Sequence, residues 1–529
     1  MKFKKALIAP AALLFTVAGL ASCGGVKPEG PKFEPLAPTT EKPKGKVVFW
    51  SNIYYKNASE VKWSEDVVKE FNKIYPDIEV VIEQKGRYGD IDKEVQKNLN
   101  TPELLPNLVV GYPDFFTKYM DKLFDLRPYI EDEYIGLGKT FDAEGKVVAD
   151  PTTDYNDFVK KYIDEGSNYE KEGMYSLPFG KTAEAFFIND TIFEDESIGL
   201  TKPTNWMEAL DAAQKYIAKF PERFEAPKKG QLAPISFHST SNLFITFSEM
   251  FGVPYASNVD TNGDGHLGKT EAVLFNNDKA KAMVKLFKQW FDAGLFTTAR
   301  ISEEQGGKKY VEDNFVCKDP SAIMIYDTTK GTSYVANSIN KVQEEGKEWE
   351  YEGANHVSSA HPVLAVSPEV LEGKATPADA KSKVINQGGS IAFFDKGEEN
   401  NKCAWLFYKF MTNTQFATQY TLANSTIPSR KSCYNDAAIA DIIKGKDNVV
   451  TREQGWNEQF TKLNGQVFDL YKSYSENDQF YTAPVNIFSA KQRSACEDMF
   501  VQIMISTVKD EAELDALINS EFQKAYNVI

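Results

Sequence analysis

Short β-rich runs alternate with amphipathic helical stretches along most of this chain, and that alternation restricts its fold more than anything else. Lys46-Val47-Val48-Phe49-Trp50 reads as a strand. A helical stretch from Ser64 to Tyr75 follows, with Val67, Val68, Phe71, Ile74 and Tyr75 on one face. Pro76 ends it, and Ile78-Glu79-Val80-Val81-Ile82 alternates as the next strand. Asn107-Leu108-Val109-Val110 is another, ahead of a helix-like segment from Pro113 to Lys122. The rhythm returns with strands at Ala185–Ile188 and Ser390–Phe394, and with helices from Pro203 to about Phe220, Asp278 to Ala293 and Asn400 to Met411. Such an order predicts an α/β fold with a mostly parallel sheet and ligands at its carboxyl edge. No short-period repeat appears, which counts against solenoids and propellers.

The 529 residues leave room for about two to four domains and a large core. Hydrophobic content of 42% and charged content of 26% are those of a soluble globular protein. The formal charge of −16 argues against nucleic acid as a partner, and against docking on anionic lipid through charge. Cys317, Cys403, Cys433 and Cys496 allow either disulfides or buried free thiols. None forms a CxxC, so zinc and thioredoxin-like chemistry find no support.

Lys2, Lys4 and Lys5 precede an almost wholly apolar run from Ala6 to Leu20, which ends in Leu20-Ala21-Ser22-Cys23. This has the charge, length and small-residue exit of a secretory signal, and it is too short for a spanning helix. The exit resembles the lipobox of bacterial lipoproteins. That resemblance implies a leader over residues 1–22, cleavage before Cys23 and diacylation of its thiol, tethering the protein outside the cytoplasmic membrane. An ordinary signal with an incidental cysteine is the alternative. Pro28, Pro31, Pro35, Pro38 and Pro43 sit among polar residues beyond it, so residues 23–45 are expected to be anchor and extended linker.

A second motif stands apart. Asp260-Thr261-Asn262-Gly263-Asp264-Gly265-His266-Leu267-Gly268-Lys269-Thr270-Glu271 matches the EF-hand loop pattern. Asp260, Asn262 and Asp264 would give side-chain oxygens, His266 its carbonyl, and Glu271 both carboxylate oxygens. The flanking helices of a sensor hand are missing, so the expectation is a structural Ca²⁺, with a plain acidic turn as the alternative.

The opening "KVVFW" with "EFNKIYPDIEVVIEQKGRY" resembles the start of the bacterial extracellular solute-binding proteins of sugar ABC importers, the maltose-binding-like family 1. The blocks "YSLPFGKTAEAFFINDTIF", "KPTNWMEAL", "SAIMIYDTTKGTSY" and "INQGGSIAFFDKGEENNKCAWLFYKFMTNTQFATQYTLANSTIPSRKSCYN" also resemble that family. "KGRYGD", "EMFGVPYASN", "NFVCKDPSAIM" and "TREQGW" are similar to the glycerol-3-phosphate-binding branch. The resemblance implies a type II periplasmic-binding-protein-like fold, two α/β lobes with a ligand cleft between them and a multi-strand hinge. Lobe one would be residues 46–177 and 387–426, lobe two 178–386 and 427–529, with crossings near Pro178, Gln387 and Pro428. It further implies a carbohydrate or polyol ligand, membrane permease subunits as partners, and a monomer.

Sugar recognition needs aromatic faces for C–H surfaces and amide, acid or hydroxyl groups for the hydroxyls. The loop after the first strand offers Trp50, Asn52 and Tyr54 at a carboxyl end, although Trp50 is as easily core. Tyr88 falls where the branch has a ligand tyrosine. The branch's acidic residue after a strand and a tyrosine is not matched; Tyr112 and Asp114 stand nearby and would have to substitute. Lys181 and Thr182 follow the first crossing, where Lys181 is either a contact for an acidic group or a solvated loop lysine. Asp327, Thr328 and Thr329 match the family's hydroxyl-rich ligand loop. Gly388 and Gly389 permit close backbone approach at the second crossing. The branch's late phosphate-holding arginine has no clear match in "NDQFYTAPVNIF", where Tyr481 stands, which favours a carbohydrate over glycerol 3-phosphate.

An enzyme is the rival class, but no HExxH or GxSxG pattern occurs, and His356 and His361 read as surface residues. A glycan-acting lipoprotein would need paired carboxylates across a cleft. A polymer-binding surface lipoprotein would work without a permease. The sequence favours a binding protein without catalysis.

Overall fold

The structure, a computed structural model, describes residues 36, 39, 42–142, 145–224, 232–317, 319–332, 334–335, 357–447 and 458–529. The leader, Cys23, most of the linker and His356 lie outside them. Three strands open the fold: β1 (Gly45–Ser51), β2 (Ile78–Gln84) and β3 (Leu108–Gly111). A hairpin of β4 (Lys139–Phe141) and β5 (Val147–Ala149) precedes β6 (Ser176–Thr182). Then come β7 (Glu184–Asn189), β8 (Ile235–Phe237), β9 (Phe296–Thr298), β10 (Met324–Thr328) and β11 (Ser358–His361). β12 (Val384–Ile385), β13 (Gln387–Phe393) and β14 (Phe480–Tyr481) complete the set used below.

Two five-stranded sheets result, ordered β2-β1-β3-β13-β6 and β11-β7-β10-β8-β9. Each backs its own core, one around Phe49, Phe71, Phe393 and Trp405, the other around Phe187, Trp206, Phe287 and Phe500. Two separate cores make two lobes. The Ala58–Ile74 helix starts earlier than its apolar stripe because Asn57 caps it, accepting from the Ser59 and Glu60 amides. Asn205 and Asn277 cap the Trp206–Lys219 and Asp278–Asp292 helices in the same way.

The sheets are mostly parallel, but each carries one reversed strand. β13 runs against β3 and β6, and β7 runs against β10 and β11. The register explains this. Thr182, the end of β6, pairs with Gln387, the start of β13; Glu184, the start of β7, pairs with Thr328, the end of β10. The carboxyl edges of both sheets therefore meet at the crossings, and a strand arriving from the other lobe must enter against the grain. The first crossing is at Ala183, between β6 and β7, and not at Pro178, which lies within β6 and pairs with Ser390. The second lies between β12 and β13, and the third at Ile427, which bridges to Lys181.

Lys181 is fully buried at this junction and ion-paired with Glu165, itself almost fully buried. Its ammonium also donates to Ser390 Oγ (2.9 Å), which donates to Glu165 Oε2 (2.8 Å), while Asn386 Nδ2 reaches Glu165 Oε1 at 3.3 Å. Burying two charges is tolerable only when neighbouring groups bond them, as Ser390 and Asn386 do here. The four described cysteines are free thiols: Cys403 and Cys496 sit in the two lobe cores, Cys433 in a small third cluster with Ile439, Ile442 and Phe468, and Cys317 is half-buried.

Lys409 is also buried, donating to the carbonyls of Ile135 (2.8 Å), Lys139 (2.7 Å) and Gly136 (3.3 Å). Burial pulls its ammonium down to about 8, against the opposing pull of Asp150 and Asp132. In the unfolded chain a lysine keeps its proton up to about pH 10.4. Between about pH 8 and 10.4 the unfolded state therefore binds more protons, and the contribution of Lys409 to stability rises with pH. Denaturant unfolding of wild type and Lys409→Met across this window should show the difference moving toward wild type by roughly 3 kcal/mol. A difference that stays flat would mean the buried ammonium never releases its proton.

Candidate functional site

The opposed carboxyl edges bring together residues from both lobes. From the first lobe come Asn52 after β1, Tyr88 at the start of the Tyr88–Asn98 helix, and Tyr112 and Asp114 after β3. The Tyr88 and Tyr112 rings lie 4.7 Å apart at 53°. Asn52 hydrogen-bonds the Tyr88 phenol, while Asn52 Oδ1 is buried without a protein partner. Burial pushes the Tyr88 and Tyr112 phenols up and the Asp114 carboxyl up; the nearby Arg493 charge opposes the shift at Tyr112 and Asp114.

The second lobe answers with Glu184, Asn242 and Arg493. Asn242 Nδ2 donates to Glu184 Oε1 (2.9 Å), and Asn242 Oδ1 accepts from Gln387 Nε2 (2.6 Å) and from Arg493. Burial pushes the Glu184 carboxyl up, with Asn242 and Arg493 pulling back. The Ser489–Ile505 helix, which carries Arg493, meets the Pro113–Phe116 turn of the first lobe, so the two walls touch there. Two stacked tyrosines, Tyr310 and Tyr334, lie exposed on the second lobe 6.3 Å apart.

Other expected residues fall elsewhere. Trp50 packs into the first core, with the Lys85 ammonium 4.8 Å from its ring. Tyr54 is exposed beside Tyr55, its amide donating to Glu60 Oε2 at 2.8 Å. Lys181 is neither a solvated loop residue nor open to a ligand, because Glu165 and Ser390 enclose it. Thr182 and Thr328 are half-buried strand ends, and Thr329 is fully buried, its amide donating to Ala183 O at 3.2 Å. Asp327 is buried next to Glu312 and His238. Tyr481 pairs with Ile385 in the β12–β14 ribbon, and its carbonyl accepts from Asn386 N (2.7 Å).

The close approach at Gly388 and Gly389 is by the protein's own atoms. Gly388 has φ +90° at a β-bulge, and a Cβ there would fall 2.2 Å from Gly180 O. A Cβ on Gly389 would meet Val110 Cγ2 at 2.8 Å and the Tyr88 hydroxyl at 2.9 Å.

Arg493 is the cleft residue the sequence reading missed. It stands beyond Tyr481, in the first turns of a helix whose neighbouring positions, Gln492, Ala495 and Cys496, are buried. A guanidinium with Glu497 one turn later, on a helix otherwise facing the core, was the available signal.

The Asp260–Glu271 loop is exposed and well organised. Asp260 accepts from the Gly263 (2.7 Å) and Gly265 (2.8 Å) amides, Asn262 Oδ1 from Asp264 N (2.8 Å), and Asp264 Oδ1 from His266 N (2.8 Å). Glu271 Oε1 reaches back to accept from Thr261 N (2.8 Å) and Asn262 N (3.0 Å). Gly265 takes φ +82°, as the sharp turn of such a loop requires. The oxygen-only donor set fits a hard cation.

The profile of a family described as bacterial extracellular solute-binding protein matches residues 66–447. No curated protein matches the chain. Solved structures do. The sugar-binding protein MalE from Xanthomonas citri superposes with TM-score 0.61 at 12% identity, over 92% of this chain and 97% of that one. UgpB from Mycobacterium tuberculosis, in complex with glycerophosphocholine, gives 0.59 at 13%, over 92% and 98%. The GacH receptor of Streptomyces glaucescens, a structure determined with and without acarbose, gives 0.57 at 14%, over 92% and 99%. These likenesses establish the two-lobe periplasmic-binding-protein-like fold.

Replacing Gly389 by Ala should lower stability by about 1–3 kcal/mol, the usual cost of overpacking. In a Tyr88→Ala background the cost should shrink, because one of the two clashing groups is gone. Equal costs in both backgrounds, by a double-mutant cycle of unfolding free energies, would separate Tyr88 from this glycine.

Proposed function

We infer that this chain, which belongs to the bacterial extracellular solute-binding proteins, captures a carbohydrate or polyol in the cleft between its lobes and delivers it to an ABC permease. The observation that carries this reading is the two-sided cleft wall. Tyr88 and Tyr112 present paired aromatic surface with the Asp114 carboxyl on one lobe, while Arg493, held through Asn242, stands opposite on the other. Aromatic cover with a few placed polar groups suits sugar rings.

Capture works by closure. A solute that bonds both walls does so only when the lobes are shut, so binding shifts the open–closed equilibrium. The Lys181–Glu165–Ser390 cluster lies at the crossings and stays together as the walls part, which makes it the pivot. Binding proteins of this family work outside the cytoplasm and are not enzymes. Cys23 supplies the lipid anchor in this reading, and the monomer is the working unit. Among the described residues no helix is long and apolar enough to cross a membrane.

Arg493 supports a second reading. A guanidinium facing the Tyr112 and Asp114 wall is the natural partner of a phosphate oxygen, so a glycerophosphodiester is the alternative solute.

A thermal-shift screen of sugars, oligosaccharides and glycerophosphodiesters, followed by small-angle scattering, decides between them. The true solute should raise the melting temperature and reduce the radius of gyration. Tyr112→Ala should weaken either class by about tenfold or more, equivalent to roughly 1.4 kcal/mol. Arg493→Ala should weaken a phosphodiester far more than a neutral sugar. Scattering that does not change with any bound ligand would overturn closure.

The Asp260–Glu271 loop is read as a structural calcium site, with Asp260, Asn262, Asp264, Glu271 and the His266 carbonyl as donors. What supports it is the spacing of these donors along an exposed loop ordered by its own amides, with Gly265 at φ +82° making the sharp turn. Bound calcium would stabilise the folded state by mass action. Chelation should therefore lower the melting temperature of wild type but not of Glu271→Gln; identical melting with calcium and with chelator would refute the site.

A further inference from the structure

We propose that His238, Glu312 and Asp327 hold a divalent cation of the zinc or manganese type at the carboxyl edge of the second sheet, beside the cleft. The three residues converge from different elements. His238 follows β8 and donates its amide to Tyr326 O (2.9 Å); Asp327 lies near the end of β10; Glu312 opens the short Glu312–Phe315 helix. One ligand atom from each lies within 4.8 Å of the others.

The distances suit ligands around a shared ion. His238 Nδ1 is 3.8 Å from Glu312 Oε1 and 3.7 Å from Asp327 Oδ1, too long for hydrogen bonds. Neighbouring ligands of a tetrahedral ion with bonds of about 2.1 Å stand about 3.4 Å apart. Small side-chain movements close that gap.

Burial supplies the independent argument. Glu312 is 2% exposed and Asp327 1% exposed. Apart from the contact between the Glu312 and Asp327 carboxyls themselves, both Glu312 oxygens, Asp327 Oδ2 and His238 Nδ1 are buried with no hydrogen-bond partner among the described residues. Among the described residues no lysine or arginine pairs with either carboxylate, and Glu184 adds a further negative charge next to Asp327. Two unneutralised carboxylates in a closed site are costly, and a cation is the group that turns the cost into binding.

The donor set indicates the ion. One imidazole with two carboxylates suits zinc or manganese better than calcium, which takes oxygen alone. Three protein donors leave at least one coordination position for water or another oxygen ligand. His238 is 38% exposed and marks the way in. The site is distinct from the Asp260–Glu271 loop in residues, burial and ligand chemistry, and it does not depend on which solute the cleft takes.

The test uses the full mature chain, stripped with chelator and then saturated with calcium. Titration calorimetry with zinc chloride and with manganese chloride should show one site, with melting raised by a few degrees. Glu312→Gln and His238→Gln should each lose that binding, while Glu271→Gln keeps it. Metal-free Glu312→Gln should melt no lower than metal-free wild type, because it removes one of two uncompensated acids. Zinc-edge absorption spectra of the loaded wild type should show nitrogen and oxygen ligands without sulfur. The proposal is overturned if wild type binds neither ion, if His238→Gln and Glu312→Gln bind as wild type does, or if sulfur appears among the ligands.

Discussion

A lysine with no contact with water sits where the chain passes between the lobes. Lys181 is at the end of β6 before the first crossing, Ser390 is in β13 past the second, and the Ile427 amide, at the third, donates to the Lys181 carbonyl at 2.7 Å. Glu165, from the segment ahead of β6, closes the cluster. A buried ion pair adds little net stability over an apolar substitute, but it tolerates very few geometries. Here it fixes how three crossings lie against one another. The pairing of Thr182 with Gln387 and of Glu184 with Thr328, and hence the facing of the two sheets, is built around it.

From that facing comes the character of the cleft. Strands that end at a junction leave their last side chains and following loops pointing into it, and these loops carry Asn52, Tyr112, His238 and Thr328. Because both edges open on the same space, groups from two independently packed bodies become neighbours. Carboxyls at Asp114, Glu184, Glu312 and Asp327 all lose water there and all are pushed up. Arg493 relieves the first two, while at Glu312 the opposing pull comes from His238 and at Asp327 from the Glu312 and Thr328 hydrogen bonds.

Much of the fold could be read in advance. The Asp278–Asp292 helix shows its apolar stripe and its Asn277 cap, and β1, β2 and β3 show as β-rich or alternating runs. The Ala58–Ile74 helix begins before its apolar stripe shows, and the signal for its start is the Asn57 cap. Pro178, expected near the first crossing, lies inside β6, where proline is tolerated because β6 is an edge strand with a register shift beside the Pro178–Ser390 pair. The site was less legible. Tyr88, Tyr112 and Asp114 are expected from the family resemblance, whereas Trp50 is expected from its place at a strand end and turns inward. Lys181 is open in the sequence between a ligand contact and a solvated loop charge, and it is neither because its partner Glu165 is set by tertiary packing, which no local pattern reveals. Arg493 was hidden for the same reason: its neighbours Asn242 and Asp114 come from opposite lobes.

The thiols give the molecule a built-in set of clocks. Cys403, Cys496 and Cys433 are each sealed in a different cluster: first lobe, second lobe and the small packing unit beside the hinge. Burial holds the Cys433 thiol near 11 and the Cys403 thiol near 12, so neither reacts until its surroundings open. A thiol reagent added to the native protein would thus time the opening of each body separately. Rates that differ between Cys403 and Cys496 would mean that one lobe breathes while its partner stays shut, motion of a kind that closure around a solute never requires.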